Sequence, residues 1–164
     1  MQISGELVKD KIIIKKPKDV GRLFNKSHFG KIVSGNKLEL NLLEGLFLLG
    51  EGKIIIYQNK ERIDFEKLTK ITAKNIPEFE TKYHAFKDLR NRGHAIKLNE
   101  KDKNISFSDF NEIFFVLTRS ERDFLIINDA EKLIKNVEKK KKELWVGILD
   151  EEGDLTYYRM SLVD

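Results

Sequence analysis

The sequence predicts an α/β (α+β) protein of two small domains, and three observations carry that expectation. Runs rich in β-branched and aromatic residues alternate with segments whose apolar residues return at helical spacing. The texture changes at Pro77, which separates an N-terminal mixed α+β domain over residues 1–76 from a C-terminal domain over residues 77–164. Past that proline the order reads helix, strand, strand, strand, helix, strand, strand, which gives a mixed sheet with helices packed against it. With 164 residues, 40% of them hydrophobic, the chain can bury a real core.

In the first domain, GELVKDKIIIKK holds an apolar run at Ile12 to Ile14 that Pro17 stops. Leu23, Phe24 and Phe29 flank a short helical or turn segment. Leu38 and Leu40 alternate with Glu39 in the manner of a half-buried strand. Leu42, Leu43, Leu46, Phe47 and Leu49 then recur at helical steps, and Gly50 with Gly52 ends that helix, because glycine enters the left-handed region cheaply. Lys53 to Tyr57 reads as a strand. IDFEKLTKITAKNI reads as a short helix with Asp64 near its start, and the domain ends in the Lys74 to Glu78 region.

In the second domain, Phe79, Tyr83, Phe86 and Leu89 lie at helical steps, with Asn91 to Gly93 as the stop. His94 to Leu98 begins a strand. ISFSDFNEIFFVLT and FLIIND are both strands by composition, with RSERD between them. DAEKLIKNVEKKKKE places Leu133, Ile134 and Val137 on one side and lysines elsewhere, an amphipathic helix. LWVGIL, the turn DEEGD and LTYYRMSLV form a closing hairpin in which Gly153 is free to take a positive φ.

Charge and composition exclude several classes. Lysine and arginine number 31 against 27 acidic residues, so the net charge of +4 says less than its distribution. Lys132, Lys135 and Lys139 to Lys142, against only Glu131 and Glu138, make the strongest basic cluster; it suits a polyanion, and a solvated helix face explains it equally. The absence of cysteine rules out disulfides and thiolate metal sites. GKIVSGNK and GEGKI have the wrong spacing to cradle a nucleotide phosphate, so no cofactor is expected. His28, His84 and His94 lack the spacing that assembles metal ligands from one helix; no metal site is expected, and His84 and His94 read as structural. Asp109, inside an apolar strand, is costly unless paired, but a metal-dependent nuclease needs a second acid and a lysine nearby, and FLIIND offers only Asp129 at its end. The start, MQISGELVKDKIII, lacks a signal core and no apolar run reaches the ~18 residues of a membrane span, so a soluble, cytoplasmic protein with no membrane role is expected.

KYHAFKDLRNRGHAIK, FSDF and above all VEKKKKELWVGILDEEGDLTYY resemble the archaeal-type tRNA-splicing endonuclease family. In that family a tyrosine-bearing helix leads through arginine-glycine into a strand, and a lysine-bearing helix, an apolar strand, an acidic glycine turn and a paired-tyrosine strand close the chain. LELNLLEGLFLLGEGKIIIY is similar to the family's N-terminal motif. The resemblance covers nearly the whole chain and implies a nuclease-like sheet in the second domain.

Active members cleave RNA without metal through a tyrosine, a histidine and a lysine. Those types supply a base near the ribose 2′-hydroxyl, an acid for the departing 5′-oxygen and a fixed cation for developing charge. Aligned through Asp109 and Phe110, the tyrosine position falls on Ile113 and the histidine position on Glu121, while Lys142 matches the lysine. The resemblance therefore implies no catalytic residue of the chain's own beyond the retained Lys142. It implies a structural, RNA-binding subunit of a heteromeric enzyme, with a catalytic homologue completing a heterotetramer on precursor tRNA. Expected RNA contacts are Lys135, Lys139, Lys140, Lys142 and Arg159. Expected subunit docking uses the acidic turn Asp150, Glu151, Glu152 and Asp154, together with the last strand at Leu155, Tyr157 and Tyr158. Two rivals remain: a self-sufficient metal-independent RNase using displaced groups such as Tyr83, His84 and Lys142, and a general RNA-binding scaffold.

Overall fold

A computed structural model describes residues 2–102, 104–123 and 127–163, leaving out the side chain of Ile127. The chain divides into two compact units, Met1–Phe79 and Glu80–Asp164. Among the described residues, no helix is long and apolar enough to cross a membrane.

Unit 1 runs β1 (Ile3–Val8), β2 (Lys11–Ile14), α1 (Pro17–Val20) with a π-helical turn at Gly21–Asn25, β3 (Lys31–Val33), β4 (Lys37–Asn41), α2 (Leu42–Gly50), β5 (Ile54–Gln58), β6 (Glu61–Ile63) and α3 (Phe65–Asn75). Its described strands form one sheet in the order β3-β4-β2-β1-β5-β6, antiparallel except for the β1–β5 pair. Strand period 2 sorts the side chains. Ile3, Leu7, Ile12, Ile14, Leu38, Leu40, Ile54 and Ile56 are buried. Their neighbours Ser4, Glu6, Ile13, Ile55 and Tyr57, on the other face, are not.

Helix α2 lies so close on the buried face that a Cβ on Gly45 would stand 1.9 Å from Ile12 Cδ1. Any side chain there would force the buried Ile12 side chain to move. The helix starts with a reciprocal cap: Asn41 Oδ1 accepts from the Glu44 N–H at 2.8 Å, and Glu44 Oε2 accepts from the Asn41 N–H at 3.0 Å. Glu44 is 2% exposed, and its second oxygen takes the Gly30 N–H at 2.9 Å, so both oxygens are satisfied in the core. Asp64 caps α3 through the Lys67 N–H at 2.8 Å, as its position before the apolar run leads one to expect.

Unit 2 contains α4 (Phe79–Asn91), β7 (Ile96–Leu98), β8 (Phe107–Asp109), β9 (Phe114–Ser120), α5 (Ile127–Lys139), β10 (Glu143–Leu149) and β11 (Leu155–Met160). The sheet order is β11-β10-β9-β8-β7, with β9 and β10 parallel and joined through α5. Helices cover both faces. Phe107 faces α4, its ring 5.8 Å from that of Phe86, while Phe115 and Leu117 join Leu133, Ile134 and Val137 of α5 in a core cluster. That double cover is why β9 is buried from Phe114 through Thr118 without alternation.

Two expectations for this unit need correction. The stretch from Ile105 to Thr118 is not one strand: it folds back between β8 and β9 because Asp109 turns its carboxylate onto the chain ahead. That carboxylate accepts from the N–H groups of Asn111 at 3.1 Å, Phe114 at 3.0 Å and Ile113, and Glu112 enters the left-handed region at φ 54°. FLIIND is not a strand in its described part either. Residues 124–126 lie outside the described residues, and Ile127 to Asp129 open α5.

Candidate functional site

The end of the unit 2 sheet where β9 and β10 begin brings together residues far apart in the chain. Helix α5 stops in a Schellman turn: the Lys142 N–H reaches the Val137 carbonyl at 3.2 Å and the Lys141 N–H reaches Glu138 at 2.8 Å, with Lys141 at φ 57°. That turn delivers Lys142 to the head of β10. There the Glu143 N–H donates to the Ile113 carbonyl at 3.1 Å, and Glu143 pairs in register with Phe114. Ile113 and Lys142 are thus neighbours across the parallel pair. Ile113 is 56% exposed, and Phe110, on the same turn, is 42% exposed with the Lys97 ammonium 5.2 Å from its ring.

His94 joins this end, which its sequence position did not suggest. Its ring stands edge-on to Phe114 at 5.6 Å and to Trp145 at 5.9 Å, and those two rings stack at 4.4 Å. Trp145 Nε1 donates to Glu143 at 3.1 Å, and Glu143 also pairs with Arg159 at 3.3 Å. The only sequence signal was the Gly93 stop that aims the chain at the sheet; the β9–β10 register does the rest.

Glu121 lies elsewhere. It follows β9, whereas Ile113 precedes it, and eight extended steps separate them by about 26 Å. The Glu121 N–H bonds the Leu149 carbonyl at 2.9 Å, and its carboxylate accepts the Glu151 N–H at 2.9 Å, so it braces the turn after β10.

The basic candidates separate in the same way. Lys139 and Lys140 line a groove of about 880 Å³ beside Lys97, Lys101, Ser108 and Phe115, with Glu100, Asp102 and Glu112 also on its walls. Lys135 is held by Glu131 one helical turn back, at 2.6 Å, and that ammonium lowers the Glu131 pKa. Arg159 is in the Glu143 pair already described.

The acidic turn is organised from within. Asp150 Oδ1 accepts from the Glu152 N–H at 2.9 Å and the Asp154 N–H at 2.8 Å, Gly153 supplies φ 89°, and Arg122 pairs with Glu151 through an Nε contact at 2.9 Å. Glu152 and Asp154 remain exposed. Beyond it, β11 is the last strand of the sheet, and its two tyrosines differ. Tyr158 is 55% exposed, whereas the Tyr157 ring lies over Gly147, close enough that a Cβ there would meet it at 2.9 Å.

Partial burial, and then the nearby Asp88 carboxylate, push the Tyr157 phenol well above its ordinary pKa, against a smaller opposing effect of Arg92. A raised folded-state pKa favours the neutral fold, so this stability is complete below pH ~10 and declines above it. Tyr157→Phe is expected to remove one late-ionising phenol from an alkaline absorbance titration and to reduce the loss of stability above pH ~10. An unchanged titration would place the late phenol elsewhere.

Comparison with known proteins adds four findings. The family described as tRNA intron endonuclease, N-terminal domain, matches residues 3–69. A tRNA-splicing endonuclease of Thermococcus gammatolerans is 32% identical over 149 residues, covering 88% of each chain, and one of Pyrococcus abyssi is 29% identical over 94% of this chain and 92% of its own. A tRNA-splicing endonuclease of Methanococcoides burtonii is 30% identical over 94% of this chain, but that match covers only 45% of the relative.

Proposed function

This chain belongs to the tRNA-splicing endonuclease family, and from that premise we propose that it is the structural, RNA-binding subunit of a heteromeric enzyme that removes introns from precursor tRNA. One observation carries the reading: the residue that precedes β9 where Lys142 precedes β10, one step ahead of the Glu143–Phe114 register pair, is Ile113, a hydrocarbon that cannot move a proton. A homologous chain with a tyrosine and a histidine supplies the proton transfer. Lys139, Lys140 and Lys142 hold substrate phosphates, with Lys135 and Arg159 contributing once RNA competes for their carboxylate partners. The exposed carboxylates Glu152 and Asp154 and the outer edge of β11 from Leu155 to Tyr158 suit docking onto that partner, the first by charge and the second by strand pairing. The expected assembly is a cytoplasmic heterotetramer.

A second reading, cleavage by this chain alone, gains one observation: His94 stands at the Lys142 end of the sheet. Co-expression with a homologue that carries both proton-transfer groups tests the first reading. The two chains are expected to co-purify and to cut precursor tRNA faster than the homologue alone. A homologue that neither associates with this chain nor gains rate from it overturns the proposal.

A further inference from the structure

Unit 1 presents a surface that the reading above does not use. Its sheet buries one face under helices, and on the other face Tyr57 lies in register with Glu6 on β1 and with Arg62 on β6, while Glu6 lies in register with Ile13. Between them is a hollow of about 330 Å³ lined by Ser4, Glu6, Ile13, Lys15, Lys16, Tyr57 and Lys60. That volume is at the lower end of the range for ligand sites. Its walls are an aromatic ring, a branched aliphatic, and three lysines, of which Lys15 is paired with the single carboxylate, Glu6, at 2.7 Å, leaving Lys16 and Lys60 as the excess positive charge. Lys37 adds to the positive field at Glu6.

The position of Lys60 is informative. Asn59 and Lys60 form the two-residue connection between β5 and β6, both in the left-handed region, at φ 51° and 69°. Asparagine followed by glycine suits such a turn best, so lysine at the second place costs stability that glycine would not. What lysine adds there is an ammonium at the rim of the hollow.

We propose that this open sheet face is a second RNA-contact surface, on which Tyr57 stacks with an unpaired base while Lys16 and Lys60 take the flanking phosphates and Lys15 keeps the Glu6 carboxylate neutralised. An aromatic platform on an open sheet, ringed by cations, matches what a single-stranded nucleic acid offers: a π-face on every base and a charge on every link. The proposal rests on the RNA-binding role given above and places part of it in unit 1.

The test uses the full chain carrying Lys139→Glu and Lys140→Glu, so that the unit 2 lysines no longer contribute, and a fluorescein-labelled oligoadenylate as probe. Tyr57→Leu, which keeps the sheet face apolar, is expected to weaken binding by roughly 5- to 100-fold. Lys60→Gly is expected to flatten the dependence of log affinity on log salt by about 0.7. Its melting temperature should match or exceed the parent's, which separates lost contact from lost folding; should Tyr57→Leu fail to fold, Lys60→Gly alone decides. Absence of binding before Tyr57 is changed, or an affinity and salt slope unmoved by these substitutions, overturns the proposal. Association with the homologous chain is read separately, so loss of the unit 1 surface leaves the subunit role standing.

Discussion

Purified free of any homologous chain, this protein is expected to cut an intron-bearing precursor tRNA at least ~10⁴-fold more slowly than the assembled enzyme. A positioned general acid and a general base each contribute about 10²- to 10⁴-fold, and the site next to Lys142 offers neither in the places the family resemblance assigns them. Ile113 has no titratable group. Glu121 has one, but it sits at the far end of β9, about 26 Å along the strand, where its carboxylate receives the Glu151 N–H. Proton transfer requires hydrogen-bond reach of the reacting oxygen, so Glu121 cannot serve a phosphate held at Lys142. Single-turnover cleavage of labelled transcript measures the difference. Rapid cleavage by the lone chain, abolished in His94→Ala, would instead assign the acid to His94 and establish the self-sufficient reading.

Phe107→Ala should strongly destabilise unit 2, costing about 3–5 kcal/mol. Phe107 is fully buried, and its ring packs 5.8 Å from that of Phe86. Strand β8 has only three residues, held between β7 and β9, so little backbone can relax into the cavity. A loss of that size is a large share of the 5–15 kcal/mol that keeps a domain folded. Urea unfolding followed by Trp145 fluorescence reports on this unit, since Trp145 lies on β10. Phe110→Ala, three residues on and 42% exposed, is the control and should move the midpoint much less. Equal shifts for the two would mean that Phe107 does not carry the packing assigned to it.

Local chemistry made much of the fold legible. Asp64 ahead of an apolar helical run, Gly52 and Gly93 after two others, and the acidic turn with Gly153 each state an element boundary within a few residues. Leu38 and Leu40 around Glu39 disclose a strand with one buried face. The Lys135–Glu131 pair also follows from i,i+4 spacing. The failures cluster between Ile105 and Asp129. Composition cannot reveal that Asp109 folds its carboxylate onto three backbone N–H groups and breaks a β-rich run in two. A short apolar run such as FLIIND also reads alike as buried strand or helix start, because its period is undefined over so few residues.

By itself, then, the sequence determined the class of fold and the lysine-rich helix, since both depend on residue type and short-range spacing. Only the tertiary structure decided which of the candidate residues share a site. Parallel pairing of β9 with β10 sets Lys142 beside Ile113, brings His94 against Phe114 and Trp145, and leaves Glu121 bracing the opposite end. Strand register is a long-range property, selected by which side chains α4 and α5 bury on the two faces of the sheet, and no local pattern encodes it.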